Sequence, residues 1–409
     1  MTGPDLTLAL DSDAGAYVAV HDRLDEPSAD VGLSSRELDV RRATRDVAAR
    51  VLAPLAAEFD RTHEFTHVGV QALATAGLGG LVFPPHLGGT GDSNVAYAVA
   101  MEEVAAACPS TSLVFMTQMH AAYPILLAGD DDLQRRYIPG LLDGSAYGSL
   151  GITEPDAGSD VSSLATTATA TDQGWSVSGQ KTFITTGDRA DVIICFATVD
   201  RTRGRDGITA FVLEGDWDGV SRGAPFAKLG MHGSSTAELF LDDVQVPRAN
   251  LLGTEGAGWK VVMSSVVKSR ISAAAQGVGI ARAVYARTLL TLRALHGPRL
   301  PDDLTFALAE MRGQLLEGRL LLHAVARQVD HDSAVSAGQI GIMKQRCTDL
   351  GFRAAVTAVG LLGAYGDLAD VGVERYLRDA KVTQIYDGTN EIQRLLIGRE
   401  ITRAMEDIL

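Results

Sequence analysis

A break in periodicity near Ser149 constrains this chain more than any other feature. From there to about Val246 the apolar residues come in short, β-branched runs: Trp175-Ser176-Val177-Ser178-Gly179, Val192-Ile193-Ile194-Cys195-Phe196-Ala197, Ile208-Thr209-Ala210-Phe211-Val212-Leu213 and residues 238–244. Gly, Asp or Arg bounds these runs, and no helical repeat separates them, so they predict an antiparallel β-domain. On either side the repeat is helical. Ser34 or Ser35 can cap a helix with Glu37 in its first turn, and Val47, Val51 and Leu55 recur at i, i+4. Pro54 should bend or interrupt that helix. Further helices are expected over 67–76 (closed by Gly77), over 94–106, and as a pair within 113–142. Beyond Gly258, Ala/Leu/Val-rich runs at 257–292, 303–330, 334–362 and 390–407 are punctuated by Gly363-Ala364-Tyr365-Gly366 and Tyr386-Asp387-Gly388-Thr389. The expected class is α+β: a loosely held extension over 1–34, a helical domain over 35–147, a β-domain over 148–256 and a helical bundle over 257–409.

Composition narrows the function classes. A net charge of -15 argues against sequence-independent nucleic-acid binding, which needs a basic surface to displace counterions, and it would be repelled by an anionic membrane. Cys108, Cys195 and Cys347 are widely scattered, with no CxxC pair or Cys/His cluster, so neither a disulfide framework nor a zinc site is expected. That usage fits a reducing cytoplasm. The start, Met1-Thr2-Gly3-Pro4-Asp5, lacks a basic region followed by an apolar run, and no stretch reads as apolar enough to cross a bilayer.

Three segments carry chemistry. In residues 150–160, Leu-Gly-Ile-Thr-Glu-Pro-Asp-Ala-Gly-Ser-Asp, a Gly/Pro-rich loop exposes hydroxyls and backbone N–H groups to an electron-rich ring or a phosphate. Lys181-Thr182-Phe183-Ile184-Thr185-Thr186-Gly187 ends a strand with an aromatic and hydroxyls. In the block from Tyr376 to Arg394, Asp387 stands before Gly388-Thr389 between two helices, where amides and a helix N-terminus can act on its carboxylate. Each segment alone would also suit an ordinary turn, strand edge or surface carboxylate.

Together, in this order and spacing, they resemble the acyl-CoA dehydrogenase family from about residue 36 to the C-terminus. The most specific matches are Thr153-Glu154-Pro155-Asp156-Ala157-Gly158-Ser159-Asp160 and the block from Arg378-Asp379-Ala380 to Arg394; residues 229–236 through Val246-Pro247 also match the family's β-domain exit. The resemblance implies an α-domain, a middle antiparallel β-domain and a C-terminal four-helix bundle, with FAD between the last two. It implies that Ile152, Thr153 and Ser159 line the flavin, with Phe183, Ile184 and Thr185 on the other side of the ring. Thr389 and Glu391 would begin a helix whose N-terminus faces the cofactor. Arg293 matches an arginine that reaches the FAD pyrophosphate, usually from a neighbouring subunit, which implies a homo-oligomer, dimer or tetramer. The implied reaction is α,β-dehydrogenation of an acyl thioester on coenzyme A or an acyl carrier protein, as in relatives in secondary metabolism. Asp387 would take the α-proton and flavin N5 the β-hydride. The Asp387 amide would bind the thioester oxygen, with Ser159, Arg270 and Gly388 beside the substrate. Arg270 is expected to pair with a carboxylate. Electrons would pass to an electron-transfer flavoprotein.

Four departures qualify the match. The family usually has Glu where Asp387 stands, and the shorter side chain points to an unusual substrate or reaction. Ser269 occupies the position where some relatives carry their base. His296 replaces a Phe, and residues 297–306 are about two short and lack a glutamine. Gly360 and Ala364 replace a Gln and a Gly. The last three departures concern the ADP end of FAD. Two other readings follow: an oxidase or monooxygenase of the same superfamily, since nitroalkane oxidases also carry Asp at the base position, or a non-catalytic acyl-binding relative.

Overall fold

The computed structural model describes residues 11, 13–25, 30, 32–331 and 335–406. The N-terminal part comprises α1 (Ala14–Asp25), α2 (Ser35–Val47), α3 (Ala53–Thr62), α4 (His67–Thr75), α5 (Asn94–Ala107), α6 (Pro109–Ala128) and α7 (Asp131–Asp143). Ser34 caps α2 in a reciprocal capping box with Glu37, as its spacing predicts. The α-helical run is interrupted just before Pro54. A π-helical turn, Ala48–Leu52, precedes it and places the proline at the start of α3, where its missing N–H costs nothing. The inserted turn also rotates the buried stripe: Ala48, Leu52, Ala53 and Ala56 are buried, while Val47, Val51 and Leu55 are only partly so.

The expectation of a loose extension over 1–34 fails for α1, the other residues of that span lying partly outside the described ones. Tyr17 and His21 of α1 are buried, and Asp22 pairs with Arg45 at 2.6 Å. With only Tyr17 and His21 fully buried in a short helix, there is little periodicity to read.

The middle part is one sheet of eight strands: β1 (Gly148–Gly151), β2 (Thr167–Ala170), β3 (Gly174–Thr185), β4 (Val192–Thr198), β5 (Ile208–Glu214), β6 (Val220–Arg222), β7 (Thr236–Pro247) and β8 (Leu251–Leu252). Its order is β6-β7-β3-β2-β4-β5-β8, with β1 on β4. Most pairs are antiparallel, whereas β1 and one bridge of β2 run parallel to β4. Strand β4 is buried throughout and faces two cores in alternation. Val192, Ile194 and Phe196 join the large core shared with the helices; Ile193, Cys195 and Ala197 join a second core with Trp175, Phe211 and Leu239.

The C-terminal part comprises α8 (Gly258–His296), α9 (Asp302–His331), α10 (Ala337–Leu362), α11 (Val373–Thr383) and α12 (Asn390–Glu406). By length and composition alone α10 could cross a membrane, contrary to the sequence reading, but it packs against α8, α9, α11 and α12 and carries a buried Lys344. Buried ion pairs tie the two helical parts together. Glu103 of α5 accepts from Arg45 at 2.6 Å and from Arg282 of α8 at 2.8 Å, and Glu102 accepts from Arg319 of α9 at 2.5 Å.

Candidate active site

The turn joining α11 to α12 is held in a costly backbone conformation. Asp387 has φ +56° and Gly388 φ +85°, and the left-handed region is unfavourable for any residue with a Cβ. Three elements clamp it there. Lys344 of α10 donates to the Gly388 carbonyl at 3.0 Å, Gln393 of α12 donates to the same oxygen at 2.9 Å, and Arg270 of α8 donates to the Asp387 carbonyl at 3.4 Å. Below the turn, Asn390 accepts from Lys344 and donates to Thr348 and Asp349, all at 2.8–3.0 Å. The Tyr386 hydroxyl donates to Gln276 of α8.

These contacts leave two groups of Asp387 free. Carboxylate oxygen Oδ2 of Asp387 is buried without a hydrogen-bond partner, and the Asp387 N–H has no main-chain acceptor among the described residues. Arg270 binds the main-chain carbonyl rather than the carboxylate, which corrects the expected ion pair: the side chain serves the turn instead. Its charge still matters. Burial pulls the Arg270 guanidinium down to about 10 and the Lys344 ammonium down to about 8, with the Asp387 charge opposing both shifts. A carboxylate and two buried cations therefore meet where negative charge could develop. Lys344, Gln276 and Gln393 had no assigned role in the sequence reading. The one signal for Lys344 is a lysine directly after the apolar run Ile340-Gly341-Ile342-Met343.

A second group of residues gathers on the β-domain. The 182 N–H donates to the Thr153 carbonyl at 2.9 Å. Lys181, fully buried, donates to Glu154 at 2.7 Å, to the Phe196 carbonyl at 2.6 Å and to the Ile152 carbonyl at 3.3 Å. Glu154 in turn accepts from the Thr166 N–H at 3.0 Å and from the Ala165 N–H. The loop bearing Ile152, Thr153 and the exposed Ser159 is thus pinned to β3 by a buried ion pair. Beyond Lys181 the β3–β7 register slips, and this bulge turns Phe183 outward at φ +56°, 67% exposed and 5.4 Å from the Phe226 ring. Ile184 points the other way, into the second core, so only its main chain can face a ligand; Thr185 is half-buried at the strand end.

Thr389 accepts from the Ile392 N–H at 3.3 Å, and it lines a cavity of about 160 Å³ with Asn390, Glu391 and Gln384 at the start of α12. Arg293 is not near this site. It is exposed in the last turn of α8, 23 residues beyond Arg270, or about 35 Å along a straight helix. A further cavity, about 490 Å³, lies elsewhere, between α7 and the outer β-strands around Arg136 and Trp217.

Sequence comparisons agree with this layout. The family models for the N-terminal, middle and C-terminal domains of acyl-CoA dehydrogenase match residues 34–145, 149–244 and 256–402. An acyl-CoA dehydrogenase of Bacillus subtilis (strain 168) is 37% identical over 373 residues, covering 90% of this chain and 98% of that protein. The structure of butyryl-CoA dehydrogenase from Megasphaera elsdenii matches with a TM-score of 0.86 at 32% identity, covering 91% of this chain and 99% of that one. The prolyl acyl carrier protein oxidase AnaB matches with a TM-score of 0.85 at 27% identity, covering 90% of this chain and 100% of that one. The chain belongs to the acyl-CoA dehydrogenase family, oxidoreductases that act on CH–CH groups.

Proposed function

We propose that the protein catalyses FAD-dependent α,β-dehydrogenation of an acyl thioester, with Asp387 as the base. The observation that carries this reading is the free, buried Oδ2 of Asp387 on a turn held by Lys344, Arg270 and Gln393. A carboxylate with no internal partner is available to take a proton, and rigid support keeps it in place. The free N–H of Asp387 is suited to receive the thioester oxygen as negative charge builds on it, and the Lys344 and Arg270 cations stabilise that charge.

The residues present fit a flavin. Phe183 offers an exposed ring beside Phe226, the pinned loop presents Thr153 and Ser159, and Thr185 and Thr389 add hydroxyls. FAD, when bound there, supplies the two-electron acceptor that the reaction needs. The distance to Arg293 supports a homo-oligomer, dimer or tetramer, in which that arginine serves a second copy's cofactor. Exposed apolar side chains on the bundle, among them Leu320, Ile342, Val356, Leu395 and Ile401, favour such an assembly. The acyl group is carried on coenzyme A or on an acyl carrier protein, and an electron-transfer flavoprotein reoxidises the enzyme. Anaerobic addition of acyl-CoA and acyl-carrier thioesters to the FAD-loaded protein should bleach the flavin band. No bleaching by any thioester would sink the reading.

The oxidase reading rests on Asp at the base position and on the likeness to a carrier-protein oxidase. Rapid reoxidation of the substrate-reduced enzyme by air would favour it; reduced flavin that persists in air would favour the dehydrogenase.

A further inference from the structure

We propose that Gln276 is a positioning residue for the base: through a one-way chain of hydrogen bonds it fixes the Tyr386 ring, and with it the backbone entering the Asp387 turn. The inference rests on the dehydrogenase reading with Asp387 as the base, and adds what holds that base from the side the carbonyl clamps do not reach. Gln276 is fully buried on α8, and Ser112 is fully buried on α6. The Tyr386 hydroxyl donates to Gln276 Oε1, Gln276 Nε2 donates to Ser112 Oγ at 2.9 Å, and Ser112 Oγ donates to the Pro109 carbonyl at 2.7 Å. The last bond sets the direction of the others. A carbonyl has no proton to give, so the single Ser112 hydroxyl proton points at Pro109 and its oxygen can only accept. The Gln276 amide must therefore turn its NH2 to Ser112 and its carbonyl to Tyr386, and the tyrosine must donate. Gln393, after the turn, has no such enforced direction. Its Nε2 donates to the Asp387 and Gly388 carbonyls, and its Oε1 is buried without a partner among the described residues.

The left-handed φ values of Asp387 and Gly388 relax unless the residues around them are fixed. Arg270 holds the Asp387 carbonyl, and Lys344 and Gln393 hold the Gly388 carbonyl, so all three act after the Asp387 Cα. Before it, Tyr386 donates its N–H to the Val382 carbonyl at 3.2 Å, and its side chain provides the second anchor. Arg270 and Gln276 are six residues apart on α8, about 9 Å along a straight helix. One rigid element thus holds the turn on both sides of the Asp387 Cα. Without the Gln276 carbonyl, the Tyr386 hydroxyl must leave α8 to find another acceptor. The backbone rotation that follows carries the Asp387 carboxylate off its position.

The test uses the FAD-loaded full chain and an acyl thioester that bleaches the wild type. At saturating thioester, Gln276→Met and Tyr386→Phe should each reduce the flavin about tenfold or more slowly. The double variant should be no slower than the slower single one, because both changes remove the same anchor. Ser112→Ala leaves the amide free to turn either way, so its rate should fall between those of the wild type and Gln276→Met. FAD retention, and binding of the enoyl product read from the shift of the flavin band, should stay at wild-type values in all four. A merely structural role for Gln276 would lower the melting temperature and leave the saturated reduction rate of the folded protein unchanged. Wild-type rates in Gln276→Met or Tyr386→Phe, or losses that multiply in the double variant, would overturn this inference and leave the dehydrogenase reading standing. If Gln276→Met does not fold, Ser112→Ala with Tyr386→Phe decides in its place, since that double should be no slower than Tyr386→Phe alone. Should no acyl thioester bleach the wild type, the dehydrogenase reading fails and this one with it.

Discussion

Asp387 and Lys344 pose the sharpest question at the scale of single residues, because burial has set two opposite charges beside one turn. Lys344 is held down to about 8 by burial. Above that pH the folded protein loses the proton while the unfolded chain keeps it up to about 10.5, so Lys344 on its own makes stability rise between those values. Catalysis should move the other way. Loss of the cation beside Asp387 weakens the hold on the Gly388 carbonyl and the stabilisation of developing charge. The flavin-reduction rate should therefore fall above about pH 8, and Lys344→Met should be slow throughout and lack that limb. A variant retaining the limb would assign it to another group. Asp387 was legible because its segment has a specific pattern and sits between two helices. Lys344 and Gln276 were not. Each lies in an apolar helical run, and sequence periodicity does not say which helix faces meet at a turn far along the chain.

Elements show a different balance. Helix starts with local signals, such as the Ser34–Glu37 box, could be read directly, and so could the β-branched strands. The π-turn before Pro54 could not be read, because nothing in the local pattern says where an extra residue is absorbed. Nor could the bulge that turns out Phe183, which depends on the pairing of β3 with β7. Helix α11 is aimed by its contacts with α3 and with the loop between β6 and β7. Arg378 holds Asp60 through two bonds of 2.9 and 2.6 Å, and Asp379 accepts from the Met231 N–H. Gly230 makes this approach possible, since a Cβ there would lie 2.5 Å from the Arg378 backbone. Gly230→Ala should push α11 away, lower stability by about 1–3 kcal/mol and slow flavin reduction through the displaced 386–388 turn. Thermal unfolding and anaerobic bleaching read the two effects; wild-type values in both would mean the contact does not position the turn.

For the molecule as a whole, the order of helical part, sheet and bundle could be read from the change in periodicity. The proposal of a homo-oligomer rests on Arg293, which lies about 35 Å along α8 from Arg270, away from its own chain's 386–388 turn. Arg293→Ala should lower FAD retention on gel filtration without disturbing Asp387. Mixed with an Asp387→Asn chain and allowed to exchange subunits, it should regain activity, because each mixed pair combines an intact Arg293 with an intact Asp387. Absence of any recovery after exchange would place the arginine's function within its own chain.

The central claim is that Asp387 is the base, and Asp387→Asn tests it most directly. The variant keeps the size of the side chain and removes its capacity to take a proton. It should purify with FAD bound as in the wild type, while anaerobic bleaching by a reactive acyl thioester slows by about a hundredfold or more. Bleaching at the wild-type rate with FAD fully bound would contradict the assignment.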